Sequence, residues 1–235
     1  MKEAEMKRKL ELTFVLLLMI GALIFSRRLS RMIAQEASGK IDSVDVIIDA
    51  GHGGTDPGKV GINQALEKDI NLEIAKKLEK LLKEKNISCK MVRTEDRLLA
   101  PEGSKQKKIE DMKERVRMIN EIRPTLAVSI HQNSYTEESI KGAQVFYYKH
   151  SKKGEELAKQ MQEALKTLDE TNHREAKANE TYYLLKKTEV PTIIVECGFL
   201  SNREEAEKLS GEEYQNEAAK AIAEGIEQCI SLVKR

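Results

Sequence analysis

The spacing of apolar residues changes several times along the chain, and each change marks an element. Val44-Asp45-Val46-Ile47-Ile48 is a β-rich apolar run that opens into the turn-forming stretch Asp49-Ala50-Gly51-His52-Gly53-Gly54. Ile70, Ile74, Leu78, Leu81 and Leu82 then recur at helical spacing up to Asn86. Ile87, Cys89 and Met91 alternate as a second strand. Beyond a polar loop, Ile109, Met112, Val116 and Ile119 predict a helix and Leu126–Ile130 a strand. Ala143–Tyr148 reads as a strand and Leu157, Met161, Leu165 and Leu168 as a helix. Tyr182–Leu185 and Thr192–Val195 read as two further strands, and Ala218, Ala219, Ile222, Ile226 and Ile230 as a closing helix. Strands alternating with long helices predict an α/β fold with a largely parallel sheet. In such folds ligands gather beyond the carboxyl ends of the strands.

The amino end has a different pattern. Leu12–Phe25 is apolar on every side for 14 residues and lies between Lys7-Arg8-Lys9 and Arg27-Arg28. As a helix it spans roughly 21 Å at about 1.5 Å per residue, short of the ~30 Å hydrocarbon core. Residues 1–40 are therefore expected to be a signal peptide or signal anchor plus linker, and residues 41–235 one catalytic domain. Ser26-Arg27-Arg28-Leu29 lacks an A-x-A pattern, which favours an uncleaved anchor. The expected location is the cell envelope, either membrane-anchored through this segment or secreted.

Charge narrows the partners. Residues 1–40 hold eight Lys/Arg and four Asp/Glu, and the remainder holds 32 and 35. A slightly acidic domain with both signs interspersed gives no electrostatic basis for nucleic-acid binding. Cys89, Cys197 and Cys229 are widely spaced, which excludes a disulfide framework and a Cys-based zinc finger. His150 and His173 sit in charged stretches and read as surface residues.

The candidate chemistry lies near the predicted strand ends. His52 follows a strand among glycines, Glu67 opens the next helix, and His131 closes the run Ala127–Ile130. Two imidazoles, one carboxylate and an open position form the ligand set of a catalytic zinc site. Each residue alone also has an ordinary structural reading, as a turn or core side chain. Glu196 ends Thr192-Ile193-Ile194-Val195, where a carboxylate is expensive unless it is paired or functional. A hydrolytic zinc site needs such a carboxylate to accept and return a proton.

Four ordered segments carry a family resemblance. Gly51-His52-Gly53-Gly54-Thr55-Asp56-Pro57-Gly58, Glu67-Lys68 with Asn71-Leu72, Ser129-Ile130-His131-Gln132-Asn133-Ser134, and Pro191–Asn202 closely resemble the motifs of the zinc-dependent N-acetylmuramoyl-L-alanine amidases of the Amidase_3 family. The resemblance implies a six-stranded, largely parallel sheet flanked by helices. It implies Zn²⁺ held by His52, Glu67 and His131, with Glu196 as catalytic acid/base. The substrate would be the amide bond between N-acetylmuramic acid and L-alanine in peptidoglycan. The short stand-alone form, with Lys108–Asp111 and Arg115–Asn120, is most similar to the sporulation and germination branch, whose members act in spore cortex toward muramic-δ-lactam. Asn133 and Arg115 are expected to bind substrate or to support the site from behind.

Two departures stand out. Lys59 replaces a small residue, and Val92-Arg93-Thr94-Glu95-Asp96 replaces T-R-x-x-D, so loop packing and groove shape are the features they bear on. Family members with an inhibitory helix carry it between the positions of Gly142 and Pro191, where this chain has room for one helix and its connections. The alternatives are a zinc carboxypeptidase acting on peptidoglycan, which needs an arginine such as Arg93, Arg115 or Arg117 to grip a free carboxylate, and a non-catalytic wall-binding module. No wall-binding repeat appears in the sequence, so membrane attachment or an accessory protein is expected to align the domain on its polymer.

Overall fold

The structure, a computed structural model, describes residues 44–233. The expected signal or anchor over residues 1–40 lies outside the described residues. No helix among those described is long and apolar enough to cross a membrane.

The elements are β1 (Val46–Ala50), α1 (Glu67–Glu84), β2 (Cys89–Met91), α2 (Lys107–Ile122), β3 (Leu126–Asn133), β4 (Gln144–Tyr148), α3 (Lys152–Leu165), β5 (Lys177–Asn179), α4 (Tyr183–Lys187), β6 (Thr192–Phe199), α5 (Arg203–Ser210) and α6 (Glu212–Val233). The strands form one sheet in the order β2-β1-β3-β6-β4-β5. Every pairing is parallel except β4 with β6. The expected α/β architecture with a largely parallel sheet is thus the observed one.

Alternation along the strands sorts side chains into two layers. Val46, Ile48, Ala50, Leu126, Val128, Ile130, Ile193, Val195 and Cys197 pack into the large core shared with α1, α3 and α6. Ile47 and Ala127 point the other way, toward Val116 and Ile119 of α2 and Leu184 of α4. Central strands covered on both faces need continuous apolar runs, which is why β1 and β6 read as unbroken hydrophobic stretches. Helix α6 approaches α3 closely because Gly225 leaves space that Met161 fills; a Cβ there would lie 2.6 Å from the Met161 sulfur. Cys197 and Cys229 are buried and Cys89 is partly buried, all three as free thiols. His150 and His173 are exposed.

The structure corrects three expectations. Tyr182–Leu185 is not a strand but the entry to the short helix α4, and the sixth strand is Lys177–Asn179. A short apolar run cannot be assigned by period alone. Here adjacent Leu184 and Leu185 pack into two different clusters, which the winding of a helix allows. The segment from Gly142 to Pro191 therefore holds two helices, α3 and α4, rather than one. Helix α5 was not anticipated, although Asn202 caps it by accepting from the Glu205 amide at 2.9 Å, the first half of an N-terminal capping signature.

Leu78 of α1 is fully buried in the large core. Leu78→Ala is expected to cost about 2–5 kcal/mol, read from the midpoint of urea unfolding with an unchanged slope.

Candidate active site

Asp49, Ser129, His131, Ile194 and Glu196 occupy the strand positions that face α2 and α4, so alternation alone collects polar groups under one cleft. The cleft measures about 430 Å³ and is walled by Lys108 and Met112 of α2, Asn133 of β3, and Tyr182, Tyr183 and Leu184 around α4. Its size is that of a small-molecule or peptide site.

His52, Glu67 and His131 converge at its floor, with one nitrogen or oxygen of each within 4.8 Å of the others. His52 sits just beyond β1 with a φ of +62°, a strained value for a residue with a side chain. Its Nδ1 donates to Asp56 Oδ2 at 2.8 Å, which turns Nε2 to within 3.2 Å of Glu67 Oε2. His131 Nδ1 donates to Glu67 Oε1 at 2.9 Å. The two rings meet edge to face with centroids 5.0 Å apart.

Glu67 is the most enclosed of the three. The amide of Lys59 donates to Oε2 at 2.7 Å, and the amide of Gln132 to Oε1 at 3.1 Å. Asn71 Nδ2 lies 3.4 Å from Oε1. Burial by itself would raise the pKa of Glu67, but hydrogen bonds from His131 and His52 outweigh it and hold the carboxyl far below the usual range. For His131, burial lowers the pKa, and the hydrogen bond and charge of Glu67 reverse this, raising it to about 9. Lys59 serves Glu67 through its backbone, so the unusual side chain at this position leaves the contact intact. Gly58 is required for the same approach. Its φ is +69°, and a Cβ would lie 2.5 Å from Glu67 Oε2.

Glu196 stands beside His131 in the β3–β6 register. Burial pushes its carboxyl up to about 7, opposed by His131 and reinforced by Glu67. Its Oε2 is buried with no hydrogen-bond partner among the described residues. An unsatisfied buried oxygen costs on the order of 1–3 kcal/mol, so its place beside the cluster calls for a use.

Two buried arginines support the turn that carries His52. Arg93 donates to the carbonyls of Ala50 at 2.8 Å and Gly51 at 3.0 Å, and to Lys68 O at 2.8 Å. Arg115 donates to Ala50 O at 2.8 Å and His52 O at 2.6 Å, and pairs with Asp49 and with Asp111, the latter at 2.7 Å. Ser129 Oγ donates to Asp49 Oδ2 at 2.7 Å. Burial works against ionisation of Asp49, but Arg115 and Ser129 hold its pKa below the ordinary value. Arg115 thus spends its donors on protein acceptors beneath the cleft. Asn133 lines the cleft while its Oδ1 accepts from the Ser134 amide at 2.8 Å.

Sequence reading did not single out Asp49, Asp56, Asn71 or Tyr182. Asp56 stood inside a quoted glycine-rich motif, four residues after His52, and that spacing was the available signal. Asp96 of the altered T-R-x-x-D segment accepts from Gly54 N and from Lys68 Nζ, each at 2.6 Å, so both retained residues tie down the same loop.

A fold of this type, with a His–Glu–His cluster and an enclosed carboxylate over one cleft, defines a class of amide hydrolases. The chain belongs to the N-acetylmuramoyl-L-alanine amidase family, whose model matches residues 46–228. It is 37% identical to the germination-specific N-acetylmuramoyl-L-alanine amidase of Bacillus subtilis over 94% of this chain and 95% of that protein. Among solved structures it is similar to the CwlD amidase of Clostridioides difficile in complex with the GerS lipoprotein, with a TM-score of 0.77 and 40% identity over 80% of this chain and 98% of that one. It is also similar to the catalytic domain of the amidase CwlV from Bacillus (Paenibacillus) polymyxa, with a TM-score of 0.69 and 30% identity over 78% and 96% of the two chains.

Gly58→Ala should distort the Glu67 end of the cluster while leaving the distant core intact. A metal titration of this variant is expected to show weakened binding with a nearly wild-type unfolding midpoint; wild-type affinity would mean that the close approach is dispensable.

Proposed function

We propose that this enzyme hydrolyses the amide bond between N-acetylmuramic acid and L-alanine in spore-cortex peptidoglycan, a step toward muramic-δ-lactam. One observation carries the chemical part: the orphaned oxygen of Glu196 stands beside a cluster of two imidazoles and a carboxylate. The cortex part is supported by likeness to the germination-specific relative along nearly the full length of both chains.

The donor set fits Zn²⁺. Two nitrogens and one carboxylate suit its borderline character, and two of the three ligands have support from outside the set: Asp56 behind His52 Nδ1, and backbone amides on both oxygens of Glu67. Bound by His52, Glu67 and His131, zinc would polarise the scissile carbonyl and lower the pKa of water toward ~7. Glu196 takes the proton from the attacking water and delivers it to the departing L-alanine nitrogen. Burial raises the pKa of this carboxyl, which helps it to hold the proton between the two transfers. Asp56 fixes the ring of His52, and the amides of Lys59 and Gln132 fix Glu67. The products are an L-alanine amino terminus and the lactyl carboxylate.

The location is the cell envelope. The structure of the C. difficile amidase with a lipoprotein supports the reading that a protein partner helps place this domain on its polymer.

Mass spectrometry of muropeptides after incubation should show peptides with a free L-alanine amino terminus. Loss of a terminal D-alanine instead would favour the carboxypeptidase alternative. Glu196→Gln should retain zinc while turnover falls by roughly 10²–10⁴-fold. His52→Ala and His131→Ala should lose zinc and activity together. Near-normal turnover in Glu196→Gln would remove it from the proton-transfer role.

A further inference from the structure

The cleft that holds the cluster and Glu196 is also lined by a further hydrogen-bond donor, the phenol of Tyr182. Tyr182 precedes α4, and its amide donates to Asn179 Oδ1 at 2.7 Å. Its ring meets Phe146 edge to face with centroids 5.5 Å apart. Phe146 stands opposite Ile194 and Gln144 opposite Glu196 in the antiparallel β4–β6 pair. Phe146, Ile194 and Glu196 therefore share one face of the sheet, the Tyr182 ring packs on Phe146 of that face, and Tyr182 and Glu196 line the same cleft. The backbone is held by Asn179 and the ring packs on Phe146, yet among the described residues the phenol makes no hydrogen bond. Tyr182 is 36% exposed and lines the cleft together with Glu196.

The surrounding charge restricts what this hydroxyl can do. Burial and the carboxylates of Glu196 and Glu67 raise its pKa, so the phenol remains a donor in neutral solution. Hydrolysis of an amide places negative charge on the carbonyl oxygen, in a cleft whose floor already holds the Glu67 and Glu196 carboxyls. A fixed neutral donor lowers the cost of that charge without reorganising. The leaving nitrogen needs a proton, which Glu196 supplies, so the oxygen is the acceptor left for the phenol.

Building on the amidase reading, we propose that Tyr182 is a catalytic residue whose phenol donates a hydrogen bond to the oxygen of the scissile amide only as negative charge develops there in the transition state. No proton leaves the phenol, and Glu196 alone carries the transferred one.

The test uses the zinc-loaded protein and an intact muropeptide. Tyr182→Phe keeps the ring against Phe146 and removes only the hydroxyl. Its kcat should fall by roughly 10²-fold, as when one oxyanion donor is lost. KM, zinc content and unfolding temperature should stay near wild type, because the hydroxyl bonds nothing within the protein. In a Glu196→Gln background, adding Tyr182→Phe should leave muropeptide affinity unchanged. A wild-type kcat for Tyr182→Phe overturns the proposal. A raised KM with normal kcat also overturns it and makes the ring a binding platform. If the wild-type enzyme releases no L-alanine amino termini at all, the amidase reading falls first and the proposal with it.

Discussion

Three successive backbone carbonyls at the end of β1 and just past it, those of Ala50, Gly51 and His52, accept hydrogen bonds from the buried guanidiniums of Arg93 and Arg115. The rest of the site depends on this arrangement. Buried carbonyls must find donors, and a turn bent back under a cleft cannot find them all in the sheet. Two planar cations with several N–H groups each can serve carbonyls that point in different directions, which a lysine ammonium serves poorly. The result holds His52 at a positive φ, a conformation it would otherwise leave at a gain of roughly 1–3 kcal/mol.

The cations need balancing charge. Asp49 and Asp111 flank Arg115, and Asp111 also accepts from the Leu99 amide at 2.6 Å. A buried ion network of this kind is weak evidence for net stability, since desolvation offsets most of the attraction. Its value lies in geometry: it joins β1, β3 and α2 at one point, and the same α2 supplies Met112 and Lys108 to the cleft wall. Lys108 pairs with Asp56 at 2.7 Å, and Asp56 in turn orients His52. Chemistry and scaffold are therefore continuous, with no boundary between the groups that would hold a metal and those that hold the turn.

Much of this was legible in the sequence because it rests on local patterns. Short apolar runs, continuous in most strands and alternating in β2, gave five of the six strands, and helical spacing gave α1, α2, α3 and α6. Glycine-rich and His-containing motifs led to His52, Glu67, His131 and Glu196, which the structure brings to one floor. Arg115 was expected to bind substrate or support the site from behind and Arg93 stood in a motif, but the network they form was not legible, because nothing local shows that the fold buries both guanidiniums against the same turn. Tyr182 was misplaced on a strand for a related reason: a four-residue apolar run carries no period, and its helix is set by tertiary packing of Leu184 and Leu185. Helix α5 had a readable cap at Asn202 but too short an apolar stripe to draw notice.

The most direct test of the supporting role of Arg115 is zinc affinity, measured by competition with a chromophoric chelator, in Arg115→Lys. This change keeps a positive charge for Asp49 but removes the fork that reaches the His52 carbonyl. With circular dichroism showing a native fold, the account predicts an affinity lower by about 10–100-fold, the usual effect of removing a group that orients a ligand. A folded Arg115→Lys protein that binds zinc as tightly as wild type would contradict it.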